Sequence, residues 1–193
     1  MADGIKYTIM NKRIIILTIT LLFIVSNIYA QTTGSHSINT KIDSTEAIFG
    51  KNVFNAFKDN NVTVFENLYP TNEEYKALLQ LMLKAKVKGL TQQKIDEVME
   101  RRKREASDTI KRRFAEFQAQ ADSAGIVWSN AIYQSYDWQE IYPEEIHQKY
   151  LYGTIWFSVD GVRYMIEDVQ AVALPVGYKL QQIYRIRKAE DTN

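Results

Sequence analysis

The sequence predicts an α+β domain, with N-terminal helices packed on one face of a C-terminal antiparallel sheet of about four strands. Three observations carry this expectation. Apolar residues recur at helical spacing as far as Ala124, and after Gly125 the period changes to two. Asp160-Gly161 then offers both positive-φ positions of a tight type I′ hairpin. Helices followed by strands, without alternation, collect on one side of the sheet. A chain of 193 residues with 46% hydrophobic and 24% charged content has the composition of a globular protein.

The N-terminus reads as an address. Lys12-Arg13 precedes the apolar run Ile14–Val25, and the small residue Ala30 follows, which is the pattern of a secretory signal peptide over residues 1–30. The run is shorter than the roughly 20 residues that span a bilayer, so a cleaved leader is favoured over an uncleaved anchor. Met10 is an alternative start, which would make residues 1–9 an upstream extension. Removal of Lys6, Lys12, Arg13 and Asp3 takes the net charge from +1 to −1. Residues 31–42 are polar and read as a flexible lead-in, 43–188 as one domain, and 189–193 as a tail. The protein is therefore expected in the periplasm or outside the cell, with no membrane span after cleavage.

The helices follow from caps and periodicity. Asp43-Ser44-Thr45-Glu46 has the form of a capping box, and Ala47, Ile48, Phe49, Val53, Phe54 and Phe57 continue at helical spacing to Asp59-Asn60-Asn61. Thr63–Glu66 repeats the capping pattern before a short turn ending near Tyr69-Pro70. Thr71–Glu74 opens a third helix with Tyr75, Leu78, Leu79, Met82 and Leu83 on one face, closed by Gly89. Leu90 and Ile95 staple an N-cap at Thr91, and nothing breaks the helix from Gln92 to Ala124, about 50 Å at 1.5 Å per residue. Its apolar seam is Ile95, Met99, Ala106, Ile110, Phe117, Ala121 and Ala124, interrupted by Arg102 and Arg113. The weak middle predicts a bend or an exposed stretch near Arg101–Ser107.

The strands are expected at Ile126–Tyr136, Tyr150–Val159, Val162–Ala173 and Tyr178–Arg187, with a connection over Asp137–Gln148 and a turn at Pro175–Gly177. Pairing outward from the Asp160-Gly161 turn gives two faces. One holds Val159–Val162, Phe157–Tyr164, Ile155–Ile166, Gly153–Asp168 and Leu151–Gln170, and should meet the helices. The other holds Ser158–Arg163, Trp156–Met165, Thr154–Glu167 and Tyr152–Val169.

The helix Ala47–Asn60, the capped helices after it, and the closing strand Gly177-Tyr178-Lys179-Leu180-Gln181-Gln182-Ile183 together resemble the cystatin-like, cone-shaped superfamily named after nuclear transport factor two. The similarity spans Asp43–Arg187 and lies in element order. The long helix over 92–124 departs from the family's compact plan. The resemblance implies a sheet covered by helices, with binding modules and a minority of enzymes among its members.

Candidate chemistry is sparse. The absence of cysteine excludes disulfides, thiolate metal sites and cysteine nucleophiles. His147 is one of two histidines, so neither zinc ligation nor a Ser-His-Asp triad is expected, and no cofactor or metal is called for. Arg101–Arg104 and Lys111–Arg113 face acids at i, i+4, including Glu97–Arg101 and Arg112–Glu116, and read as a solvated helix face. With a net charge near zero, nucleic acid is not an expected partner.

Two sites remain. Asp168, opposite Gly153 and near Tyr164, could line a sheet–helix pocket with Trp138 and Tyr150, either orienting a ligand or serving as an acid/base; the alternative is a solvated sheet end with a bulge at Gly153. The second is an interaction face of Tyr152, Trp156 and Met165, which could also join two copies of the chain. All three tryptophans and eight of the twelve tyrosines lie after Gly125, and such side chains suit protein, peptide or glycan partners. The expected function is an exported, non-enzymatic binding or interaction domain. The alternatives are a small pocket enzyme, hydrolase- or isomerase-like and based on Asp168, and a structural subunit of an envelope assembly docked by residues 92–124.

Overall fold

A computed structural model of the chain describes residues 45–144 and 146–189. The expected leader and lead-in, like the residues after Ala189, lie outside the described residues. The element order is α1 (Thr45–Lys58), α2 (Val62–Leu68), α3 (Asn72–Lys84), α4 (Gln92–Ser123), a 3-10 turn (Trp128–Asn130), then β1 (Ala131–Ile141), β2 (Tyr150–Val159), β3 (Val162–Leu174), β4 (Gly177–Gln182) and β5 (Arg185–Lys188). This is the α+β order read from the sequence. The strands form one antiparallel sheet in the order β1-β2-β3-β4, with β5 pairing β3 as well.

Local chemistry places most helix ends where the sequence put them. Thr71 and Glu74 close a reciprocal capping box at α3, at 3.2 and 2.7 Å. The Thr91 hydroxyl accepts from the Lys94 N–H at 3.3 Å to start α4, and Gly125 holds a left-handed φ after its end. The end of α3 differs from expectation: it stops at Lys84 and not near Gly89, and Lys86 takes a left-handed φ of +56° just after it. The cap of α2 differs from expectation. Asn61, not Thr63, accepts from the Val64 N–H at 3.0 Å, so this helix begins earlier.

The seam of α4 also differs. Arg113 is exposed and Phe114 takes the inward position. Arg102 leaves the expected seam to lie over the Tyr75 ring at 4.3 Å, with its guanidinium donating to the Pro70 carbonyl at 2.5 Å. No residue of α4 is buried between Met99 and Phe114, which matches the weak middle, yet the helix runs unbroken for 32 residues. Leu78, Leu79 and Met82 of α3 and Ile95 and Met99 of α4 are buried outside the main core cluster.

The main core joins α1, α2, the C-terminal half of α4 and one face of the sheet. Phe57, fully buried, is its hub: its ring lies 5.1 Å from Phe65, 5.4 Å from Phe114, 5.9 Å from Phe117 and 5.9 Å from Trp128. Phe54 meets Phe157 and Tyr133 of the sheet at 5.5 and 5.6 Å. The same packing explains why the first strand starts at Ala131 and not Ile126. Ile126 is buried, and Trp128 stacks on Phe57 and on Phe157 at 5.3 Å. That stacking recruits 126–130 into the core as a turn, and β1 extends instead through Ile141.

Three register irregularities shape the sheet. Gln134 is an extra residue on β1, and Gln181 on β4. On β3, Glu167 and Asp168 together oppose Thr154, so that Gly153 pairs with Val169 and not with Asp168. Asp168 adopts φ +52°, a left-handed conformation that Asp tolerates better than most residues. The expected final strand is likewise divided, β4 and β5 being separated at Ile183–Tyr184.

Gly153 and Gly50 admit Tyr136 between them. A Cβ on Gly50 would meet Tyr136 Cβ at 2.4 Å; one on Gly153 would meet the Asp137 carbonyl oxygen at 2.2 Å and Tyr136 Cε2 at 2.8 Å. The contact at Gly153 is with backbone and cannot be relieved by a rotamer change. Gly153→Ala is therefore expected to lower the unfolding free energy by about 2 kcal/mol or more. Denaturant titration checks this, and a change of a few tenths would contradict it.

Candidate functional site

The four residues expected to form a pocket do not converge. Tyr164 is buried on the helix-covered face and stacks on Phe157 at 5.7 Å. Trp138 is buried on the same face, stacked on Tyr136 at 5.5 Å. Asp168, displaced by the bulge, accepts a short hydrogen bond from the Tyr152 hydroxyl and so belongs to the opposite face. Tyr150 lies opposite Val172, outside the main core cluster, and burial pushes its phenol up to about 12. The space expected beside Gly153 for a ligand is taken by the Tyr136 ring.

The second expected set shares one face of the sheet, but Met165 is buried there, and only Tyr152 and Trp156 are half-exposed. Trp156 and Met165 are direct cross-strand partners, and Tyr152 lies on the same face, paired with Gln170 and not with Val169. The next row towards the hairpin is Ile132, Ser158 and Arg163, since Ser158 pairs with both others. The Arg163 guanidinium sits 4.0 Å from the centroid of the Trp156 ring. Arg163 is exposed, Trp156 half-buried, and Ile132 keeps 66% of its surface. The Asp160-Gly161 turn that fixes this register has both residues at positive φ, and Asn130 donates to Asp160 at 3.1 Å.

Further along the face, Glu167 bridges Arg185 and Arg187 of β5, the latter at 2.7 Å. The Arg187 hydrogen bond is the main reason its carboxyl is held below the ordinary value, with Arg185 adding to it. The arginine–glutamate bridge depends on β5 lying beside β3, which no local signal specifies, whereas Arg163 belongs to the β2–β3 hairpin itself, opposite Ser158.

At the other end of the sheet, Lys149 links two carboxylates. Its ammonium lies 3.2 Å from Glu46 of α1 and 2.5 Å from Glu140 of β1, and the Tyr178 hydroxyl donates to Glu46 at 2.8 Å. Burial disfavours the charge on Lys149, but the hydrogen bonds with Glu140, Tyr178 and Glu46 together hold its pKa well above the ordinary lysine value. A lysine held so firmly as a cation is a tie between α1 and the sheet, and a poor nucleophile or base.

His147 stands on the connection at φ +51°, its carbonyl accepting from Tyr142 at 3.2 Å. Among the described residues no three His, Cys, Asp or Glu side chains are grouped so as to hold a metal ion. Of the charge pairs expected on α4, Arg112–Glu116 is formed at 3.8 Å. No helix of the described residues is long and apolar enough to cross a membrane. Comparison with protein-family models, curated proteins and solved structures gave no match.

The bridge at Glu167 has a pH signature. Its pKa is lowered in the folded chain, so its contribution is present above the ordinary carboxylate value of 4.5 and is lost as pH falls through the folded value below it. The stability gap between the wild type and Glu167→Gln is expected to be about 1 kcal/mol at neutral pH and to close on acidification. Urea titrations at several pH values check this; a gap that widens in acid contradicts it.

Proposed function

We propose that this chain is an exported, non-enzymatic interaction domain that engages a protein partner through the sheet face opposite its helices, at the hairpin end. The observation that carries this reading is the row geometry at Trp156: an aromatic ring fixed under Arg163, with Met165 buried at its side and the largely exposed Ile132 in the adjoining row. Such a patch combines an aromatic and an arginine anchor, the residue types that dominate interface energetics. The leader-like residues 1–30 support export, and a core held by Phe54, Phe57 and Tyr136 suits a domain that must stand without disulfides. The helix-covered antiparallel sheet supports the cystatin-like reading of the fold.

The pocket-enzyme alternative is weaker. Its carboxylate, Asp168, is held by Tyr152 away from the buried Tyr164 and Trp138. A carboxylate bonded on the open face lacks the enclosed, desolvated setting that general acid/base work uses.

The test is capture of partners from an envelope extract of the source cell, using wild type and Trp156→Ala. The wild type is expected to retain a stoichiometric partner that Trp156→Ala loses, with an affinity loss of roughly 30-fold, as for a buried aromatic anchor. A partner retained equally by both, or none retained by the wild type, contradicts the proposal.

A further inference from the structure

Resting on the interaction-domain reading, the Trp156–Arg163 pair indicates the chemistry of the partner. The other arginines of this face, Arg185 and Arg187, are both paired with the carboxylate of Glu167. Among the described residues, no carboxylate stands within ion-pair distance of Arg163. Its guanidinium is instead held over the Trp156 ring at 4.0 Å. A stacked guanidinium loses none of its in-plane donors, and stacking fixes their direction, so it is prepared for bidentate capture of a carboxylate.

The occupied ring face also argues against a glycan, which would need that face for stacking. Next to the cation is an apolar contact. Ile132 lies in the same cross-strand row as Arg163, two strand spacings away. That is about 10 Å, a distance that an extended segment covers in about three residues. We propose that the hairpin end of this face binds an acidic, apolar peptide segment of a partner protein, its carboxylate received by Arg163 and its apolar side chains laid against Trp156 and Ile132.

The experiment uses the full chain and two labelled eight-residue peptides, one alternating Asp and Leu and the other Lys and Leu, followed by fluorescence anisotropy at low salt. The Asp/Leu peptide is expected to bind and the Lys/Leu peptide not to. Arg163→Ala, an exposed position whose folding is checked by circular dichroism, should weaken binding by roughly ten-fold or more, and Arg163→Lys should restore only part of it. Equal binding of both peptides, binding of neither, or indifference to Arg163→Ala overturns the inference. Self-association of the free chain that Arg163→Ala abolishes would assign the patch to a second copy and overturn it too. If the partner captured from the extract is lost by Trp156→Ala but kept by Arg163→Ala, the interaction reading stands and the acidic-peptide inference fails.

Discussion

The structure depends on one buried contact, the seating of Tyr136 between two glycines. Gly50 lets α1 come down onto the Cβ of Tyr136, and Gly153 lets β2 close against the backbone of Asp137 beside the same ring. The tyrosine hydroxyl then donates to the Val169 carbonyl at 3.3 Å, the first β3 residue after the bulge. One side chain thus relates the first helix, the first strand and the register of the central pair. A glycine in a strand or helix interior weakens it locally, and here close packing of a large aromatic offsets that loss.

The bulge beside Val169 decides which chemistry reaches which face. Up to Ile166 the even-numbered residues of β3 point to the helices, and from Val169 the odd-numbered ones do: Tyr164, Ile166, Val169 and Ala171 belong to the main core cluster, whereas Met165 and Val172 are buried outside it. The extra residue leaves Asp168 with Tyr152 on the far side. The space that a pocket would have needed is filled by the Tyr136 ring, so the potential for recognition moves to the other face. There Glu167 ties β5 to β3, and Arg163 is left over the Trp156 ring with no described carboxylate within ion-pair distance.

Much of the fold was legible because it is written in local signals. The capping box at Thr71, the N-cap at Thr91 and the Asp160-Gly161 hairpin each need only a few neighbouring residues to specify them. What was misread depends on packing between distant elements. The start of β1 shifts because Trp128 is drawn under Phe57, and Arg102 is drawn onto Tyr75. The register beyond Ile166 had a signal that uniform alternation obscured: the apolar residues of β3 switch parity across Glu167-Asp168. Of the candidate site, Trp156 and Met165 were legible from hairpin arithmetic alone, whereas the pocket set failed with the Gly153–Asp168 pairing on which it was built.

If Tyr136 sets both the seat of α1 and the register of the central strands, its loss should be felt well beyond β1. The direct measurement is native-state amide hydrogen exchange of Tyr136→Ala against wild type. Protection is expected to fall together in α1 around Gly50 and in β2 and β3 around Gly153 and Val169, with α3 little changed. Loss of protection confined to β1 would contradict the account.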